Sequence, residues 1–447
     1  MNNIPRASEP HLKRTLTLFD LVIYGMVLTQ PTAPMPVFGV AGQEARGHVA
    51  LTMLIGMVAM SCTAVAYGRM AAAYPVAGSA YSYVGREIHP FLGKLTGWSL
   101  ALEYVMNPLV CVIWCSKASD NILPVVPYWA WVCVFVVVFT VVNLRGIETS
   151  ARMNEALALG MGLVIVIFLI AAVRYLMTGP RIMNLAHLTQ PFYDPATFRL
   201  SSVLTGTSVA TLTYIGFDGI STLSEEAVNP RRNILWATVL TCLATGVLAT
   251  VEVYVAQLVW PDYGSFTDMD TAYSFVAGRV GGPILFQLVN ATLLVACMGS
   301  GLAAQLGGAR LLYGMGRDNA IPSGVFGKID ARRQIPRDNI LMLGAAALIG
   351  SFLLSYQMGA ELLNFGAFIA FMGVNAAAFV RFYWRNHEKR LLDWLPPALG
   401  FFICLYIWWS LRLPIKLIGC GWLLAGAVYF WHRGRAVKTE VAADASE

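Results

Sequence analysis

The sequence predicts an all-α integral membrane protein of twelve transmembrane helices, and its composition and apolar runs support that prediction. Hydrophobic residues make up 57% of the 447 residues and charged residues only 13%, whereas an ordinary soluble domain has roughly 25% charged residues. Uncharged runs such as 157–173 and 341–356 approach the roughly 20 residues that a helix needs to cross about 30 Å of hydrocarbon. The bilayer is therefore the expected solvent for most of the chain.

Apolar runs bounded by charged residues, glycine and proline place the membrane spans along the chain. We name them spans 1 to 12, with predicted bounds at residues 19–43, 49–73, 92–119, 127–143, 154–175, 201–224, 234–260, 283–313, 339–356, 360–384, 395–411 and 414–431. The segment 1–18 precedes span 1, and the short polar tail 437–447 is expected to be disordered. The chain is predicted to form one membrane domain, because no segment is long enough for a separate soluble one.

The basic residues predict how these spans are oriented. When the N-terminus is placed in the cytoplasm, most of the 31 Lys and Arg residues fall in inner segments, and the inner loop from Arg310 to Arg337 alone holds six. This bias follows the positive-inside rule, and an even number of spans then puts both termini in the cytoplasm. A cleaved signal peptide is not expected, because the first eighteen residues are charged and lack an apolar core.

Two spans contain residues that interrupt a helix. Pro31, Pro34 and Pro36 lie in the middle of span 1, and each proline removes a backbone donor and clashes with the preceding turn. Span 6 has Gly216 and Gly219 near its middle. Non-helical backbone at membrane depth is tolerated where it is buried in protein or lines a water-filled cavity. We predict a break in both spans, the alternative being a pair of ordinary kinks.

The positions of these breaks predict an internal repeat. Interruption of the first and sixth spans is the pattern expected of an inverted repeat of spans 1 to 5 and 6 to 10, in which the broken helices bind substrate near the midplane. The predicted ten-helix core covers 19–386, with repeats 19–176 and 200–384, and spans 11 and 12 lie within 387–436.

Ionisable residues inside the spans are candidates for function. An ionisable group at the bilayer centre costs at least about 2.5 kcal/mol on insertion scales, so it usually faces a cavity or a partner. Glu103 of span 3 is either a functional group or a hydrogen-bonding partner of a neighbouring helix. Lys117, in the same span, lies close enough to the outer surface to extend towards it. For Glu252 of span 7 we favour a structural or outer-vestibule role.

Asp218 lies inside the predicted break of span 6 and is the candidate for contact with a substrate ammonium group or for proton exchange. Its structural alternative is to cap the second half of the helix with its carboxylate. Tyr214 precedes it by one helical turn and offers an aromatic face that could hold a cation, although aromatic residues in helices more often serve packing.

The sequence contains no signature of an enzyme or of a bound cofactor. It has no HExxH pair, no phosphate-binding glycine loop and no Ser, His and Asp set at usable spacing. All eight cysteines lie in apolar segments, where cysteine usually packs as a small hydrophobic residue, so no metal is expected. The net charge of +6 is distributed over loops, so no nucleic-acid partner is expected either.

Several strings in spans 2, 6, 8 and 10 resemble the amino acid, polyamine and organocation permease superfamily, and within it the bacterial putrescine importers. They are GHVALTMLIGMVAMSCTAVAYGRMAAAYPVAGSAYSYV, TYIGFDGISTLSEEAVNPRRNI, GSGLAAQLGGARLLYGMGRDNAIP and NFGAFIAFMGVNAAAFV. The resemblance covers about residues 12–430. It implies the five-plus-five inverted repeat of the leucine-transporter-like fold with two further helices, in a bacterial inner membrane.

The resemblance also implies uptake of an amine or amino acid, commonly driven by protons rather than by a bound cofactor. The implied substrate-binding residues are Gln30, Thr32, Ala33, Met35, Tyr104, Tyr214, Gly216, Phe217 and Asp218. The implied candidates for proton coupling or gating are Glu103, Asp218, Glu225 and Glu226. For the last two, stabilisation of the loop that follows span 6 is the alternative.

Two departures from the family pattern leave the substrate and the coupling mechanism open. Pro36 stands where the putrescine importers have an aspartate, and span 5 lacks the lysine that some proton-coupled relatives carry. A polyamine, a monoamine and a neutral amino acid therefore all remain candidate partners beside the lipid bilayer, and the oligomeric state is open. A channel or a non-transporting sensor on the same scaffold is the alternative function.

Overall fold

The computed structural model describes residues 16–74, 79–145, 151–178, 185–223, 227–330, 333, 335–386 and 389–444. Within these ranges the regular structure is helical, apart from an isolated bridge between Leu16 and Ala227. The prediction of an all-α membrane fold is confirmed.

The helices follow the predicted spans closely. In chain order they are α1 Leu18–Thr29, α2 Pro34–Glu44, α3 Val49–Ala73, α4 Ser79–Glu87, α5 Pro90–Ile122, α6 Tyr128–Arg145, α7 Ala151–Thr178, α8 Leu185–Thr189, α9 Leu200–Ala210, α10 Pro230–Val259, α11 Ala272–Arg317, α12 Ser323–Phe326, α13 Arg337–Leu353, α14 Tyr356–Phe379, α15 Leu391–Ser410 and α16 Leu413–Asp444. Short 3₁₀ segments lie at Thr211–Tyr214, Phe217–Leu223 and Met269–Thr271, and a π-helical turn at Val380–Trp384 follows α14.

Among the described residues, ten spans are long and apolar enough to cross a membrane, and the bent pair α1 and α2 raises the number to eleven. The further helix α13 has 17 residues, the lower end of the usual length of a membrane span. The count of twelve and the repeat arrangement remain predictions.

Span 1 is broken as predicted. Helix α1 begins with a capping box, in which the side chain of Asp20 accepts from the amide of Thr17 at 2.8 Å. It ends at Thr29, and Gln30 then takes a positive φ of 57°. Helix α2 starts again with Pro34 in its first turn, where a missing amide costs no hydrogen bond. The two halves are bent by 53°.

Span 6 is also broken, but its second half differs from an α-helix. Helix α9 passes through a 3₁₀ turn into Ile215 and Gly216, and a second 3₁₀ segment follows. Gly216 has a φ of 119°, which L side chains rarely adopt. The predicted end of span 6 at residue 224 lies outside the described residues.

The helices differ from the predictions at a few points. The backbone of Gly282 is non-helical, with a φ of 68° and a ψ of −166°, so the range α11 consists of two helices that meet at a kink. The second of them begins at Pro283, the predicted start of span 8, and the helical stretch that precedes the kink from Ala272 was not predicted. The last helix continues to Asp444, so most of the tail that was expected to be disordered is helical. The short helices α4, α8 and α12 were not predicted.

We call the membrane side on which α2 ends the α2 side, and the opposite side the α1 side. One hydrophobic cluster joins α2 to parts of α5, α7, α10 and α11. A second cluster joins α1 to parts of α3, α10, α14 and the 3₁₀ segment after Gly216. The two breaks therefore lie between two packed halves of the bundle.

Candidate functional site

The breaks of spans 1 and 6 meet directly. A Cβ atom on Gly216 would lie 3.0 Å from the carbonyl oxygen of Leu28, and one on Gly219 would lie 2.8 Å from the side chain of Leu28. About one turn before the end of α1, a Cβ atom on Gly25 would lie 2.4 Å from the side chain of Ile220. Glycine at these positions allows the backbones of the two broken spans to touch.

Asp218 lies at this junction and is 6% exposed. Its carboxylate is within hydrogen-bonding reach of the backbone amides of Gly216, Asp218 and Gly219. These amides are available because the helix is interrupted, and a carboxylate accepting from backbone N–H groups is stabilised in its charged form. The arrangement agrees with the capping alternative, and it also holds a buried carboxylate beside the break.

Glu103 of α5 is the second carboxylate of the junction. It is 4% exposed, it interacts electrostatically with Asp218, and its Oε2 has no hydrogen-bond partner in the described part of the chain. Its backbone lies against Gly366 of α14, where a Cβ atom would be 3.2 Å from the amide of Glu103. The hydroxyl of Ser99 donates to the carbonyl of Gly366 at 2.7 Å. The close approach of α14 therefore positions the backbone of Glu103.

Two tyrosines accompany this pair. Tyr104 and Tyr67 both interact electrostatically with Asp218 and with Glu103. Tyr104 is half-buried and lies over Gly307, where a Cβ atom would be 3.0 Å from its ring. Tyr67 is fully buried on α3. Sequence reasoning found Tyr104 and missed Tyr67, which reads as an ordinary aromatic residue of an apolar helix.

Other predicted site residues are held in packing contacts. The hydroxyl of Tyr214 donates to the carbonyl of Met53 at 2.7 Å, and its ring faces Gly56 of α3. Phe217 is fully buried between Tyr67 and Phe371, with ring centroids 5.7 and 5.3 Å away. The phenol oxygen of Tyr214 therefore binds α3 in this conformation.

The predicted residues of the span 1 break connect it to other helices. The side-chain amide of Gln30 donates to the carbonyl of Ala296 on α11 at 2.9 Å. Thr32 lies 3.6 Å from the sulfur of Met161 on α7. Met35 is 1% exposed, whereas Ala33 is half-buried. Glu225 and Glu226, the two gating candidates, lie outside the described residues.

Lys117 has a partner that the sequence did not reveal. Its ammonium group donates to the carboxylate of Asp270, which lies just before α11, and Asp268 is 3.9 Å away. Lys117, which was expected to extend towards the outer surface, therefore forms an ion pair there. In the described part of the chain, no group of three or more His, Cys, Asp or Glu residues is placed to hold a metal ion.

The α2 side of the junction is closed by a polar network. The side-chain amide of Gln357 donates to Glu44 at the end of α2, at 2.7 Å, and to Glu361, at 3.2 Å. Glu361 is fully buried and pairs with Arg412 at 2.8 Å. These bonds connect the second half of the broken span to α14.

The α1 side has a denser network around Glu87, which is 1% exposed. Its carboxylate accepts from Arg381 at 2.6 Å, from Arg385 at 2.7 Å and from the hydroxyl of Tyr74 at 2.5 Å. The hydrogen bond to Glu87 raises the pKa of Tyr74. The π-helical turn that follows α14 contains Arg381, so a local distortion positions this side chain.

Known proteins resemble this chain over nearly its whole length. Residues 37–430 match the family described as amino acid permease. The low-affinity putrescine importer PlaP of Escherichia coli (strain K12) is 32% identical, over 96% of this chain and 95% of that protein. The branched-chain amino acid permease BcaP of Lactococcus lactis subsp. cremoris (strain MG1363) is 27% identical over 97% of each chain. The methylthioribose transporter of Bacillus subtilis (strain 168) is 25% identical, over 96% of this chain and 95% of that protein.

Proposed function

The chain belongs to the amino acid permease family, and on that premise we propose that it is a proton-coupled secondary transporter that imports a small amine or amino acid by alternating access. The observation that carries the proposal is the meeting of two broken spans beside the carboxylates of Glu103 and Asp218. Broken helices that meet near the midplane are where secondary transporters bind substrate.

The charge of the junction favours a substrate that carries an ammonium group. Neither Asp218 nor Glu103 interacts electrostatically with a Lys or Arg side chain in the described part of the chain. A bound ammonium group would compensate one ionised carboxylate, and the half-buried ring of Tyr104 would add an aromatic face. The prolines of span 1 remove amides that would otherwise bind a substrate carboxylate. These features rank an amine above a neutral amino acid, and the names of the relatives include both substrate classes.

The polar networks at the two ends of the bundle support a conformational cycle. The described structure holds the network of Glu44 and Glu361 on the α2 side and that of Glu87 on the α1 side at the same time. Alternating access would open one while the other stays closed.

The basic stretch from Arg310 to Arg337 begins in the last turns of α11. Asp318, directly after α11, interacts electrostatically with Tyr81 of α4, the helix that contains Glu87. The stretch is therefore on the α1 side, and we assign the α2 side to the exterior. Both termini then lie in the cytoplasm.

The test is uptake into liposomes that contain the purified protein. We expect radiolabelled putrescine or leucine to accumulate when an inward proton gradient is imposed, and the unlabelled substrate to compete. Asp218→Asn should weaken apparent affinity roughly 10- to 100-fold, because it removes a charged hydrogen-bonding partner. Asp262→Asn, on an exposed loop, is the matched control and should behave like the wild type.

Each alternative gives a different result in the same assay. Flux that neither saturates nor accumulates against a gradient would indicate a channel. Binding without any flux would indicate a sensor. Normal uptake by Asp218→Asn would show that this carboxylate does not contact the substrate.

A further inference from the structure

Another buried carboxylate, Glu252, lies away from the junction. It is in the part of α10 that is nearer to the α2 side of the membrane. Glu252 is fully buried, and neither of its carboxylate oxygens has a hydrogen-bond partner in the part of the chain that the structure describes. No charged side chain of that part interacts with it electrostatically. Glu252 therefore differs from Asp218, which has backbone amides around its carboxylate.

The surroundings of Glu252 are apolar and aromatic. Its neighbours along α10, Ala249 and Val253, belong to the hydrophobic cluster that joins α10 to α2, α7 and α11. Tyr273 of α11 interacts electrostatically with Glu252, and its hydroxyl is likewise buried without a partner among the described residues. The ring of Tyr273 lies 4.7 Å from that of Phe168 on α7.

The second half of the broken span 1 packs onto this group. Phe38 of α2 contacts the ring of Tyr273 edge-on, with centroids 5.7 Å apart. The break separates α2 from α1, and the two are bent by 53°, so a rotation at the break would move α2 relative to α1. Movement of α2 away from α11 would lift Phe38 from Tyr273 and admit water to Glu252.

The other ionisable groups near this end of the bundle have partners of their own. Glu44 of α2 accepts from Gln357. The ring of His48, just before α3, contacts the carbonyl of Ala45 and accepts from the amide of Asp194. None of them interacts electrostatically with Glu252, whereas Tyr273 does, so Tyr273 is its titratable neighbour in the described structure.

An ionised carboxylate buried without a partner is strongly destabilised, and such a group carries a proton instead. We propose that Glu252 is a proton-binding site that holds its proton while α2 is closed over Tyr273 and exchanges it with the α2 side when α2 opens. This inference deepens the proposed function, on which it rests, by assigning the coupled proton to a residue remote from Asp218. The group binds and releases H⁺ only, and no covalent step is involved.

The experiment compares Glu252→Gln with the wild type in two assays on the same proteoliposomes. One assay measures accumulation of radiolabelled substrate driven by an inward proton gradient. The other measures exchange of external labelled substrate for internal unlabelled substrate at equal pH, which requires no net proton movement. Glutamine reproduces the shape and neutrality of the protonated carboxyl, so we expect exchange close to the wild type and accumulation reduced to an internal-to-external ratio of one.

A third readout is the pH dependence of exchange, which should be lost in Glu252→Gln. Proton-driven accumulation by Glu252→Gln at the wild-type level would overturn the inference. Failure of this variant to fold would also overturn the inference. Glutamine is a neutral isostere of protonated glutamate, so it should fit at position 252 if the carboxyl there is protonated. Tyr273→Phe, which removes only the phenol oxygen, should keep both accumulation and exchange. If the wild-type protein shows neither accumulation nor exchange, the proposed function fails first, and the two failures are thereby distinguished.

Discussion

Glu87 and Glu252 are both fully buried glutamates, yet the region around Glu87 supplies partners for a charged carboxylate and the region around Glu252 does not. At the α1 side, Glu87 is held by two arginines and a tyrosine. Within the bundle, Glu252 has no partner for either oxygen in the described part of the chain. Removing one member of a buried ion pair is strongly destabilising, because it leaves an uncompensated charge. The comparison separates carboxylates that hold the bundle closed from carboxylates that are free to bind a proton or a substrate.

The largest effect on stability is expected from removing both partners of Glu87. The double variant Arg381→Gln and Arg385→Gln leaves the carboxylate buried without a cation, and we expect a loss of about 3–5 kcal/mol. Thermal unfolding in detergent micelles measures the change. Replacing Lys389, which lies over the ring of Tyr383, with glutamine is the control, and a double variant as stable as this control would contradict the structural role of Glu87.

An intermediate effect is expected at the α2 side. Glu361→Gln breaks the pair with Arg412, which is partly exposed and can be hydrated, so we expect a loss of about 1–3 kcal/mol. The same substitution at Glu252 should leave the unfolding temperature unchanged, because that carboxyl is neutral in the closed structure. Equal losses for the two variants would remove the distinction between paired and unpaired carboxylates.

The smallest effect is expected for Tyr74→Phe, which removes one hydrogen bond to Glu87 and should cost about 1 kcal/mol. Because this bond raises the pKa of Tyr74 in the folded protein, its contribution is complete below the usual tyrosine pKa of about 10 and is lost as pH rises through the folded value. Unfolding measured from neutral to alkaline pH should show a steeper loss for the wild type than for Tyr74→Phe. Parallel curves would show that the bond does not contribute.

The breaks of spans 1 and 6 could be predicted from the sequence because proline and glycine act on the backbone locally. Pro31, Pro34 and Gly216 interrupt their helices whatever surrounds them. The same local rule holds at Gly282, whose φ of 68° and ψ of −166° are non-helical, so the helix of span 8 begins at Pro283. The helical stretch before this kink, from Ala272, was not predicted, because the loop residues around it carry no strong helix signal.

The contacts that define the site could not be predicted, because they join residues far apart in the chain. Glu87 and Arg381 are separated by 294 residues, and Glu103 interacts electrostatically with Asp218 only because the fold brings α5 near the break of span 6. Tyr214 was predicted either to hold a substrate cation or to serve packing, and in this conformation its hydroxyl binds α3. Without the fold, a buried tyrosine that serves packing has the same sequence context as one that serves binding.

The central claim, that this permease couples proton entry to substrate entry through its interior carboxylates, is tested most directly by following lumenal pH in proteoliposomes as substrate is added. We predict that substrate acidifies the lumen of vesicles that contain the wild-type protein, and that neither Asp218→Asn nor Glu252→Gln produces this acidification under the same conditions. Substrate accumulation by the wild type without any acidification would contradict the account.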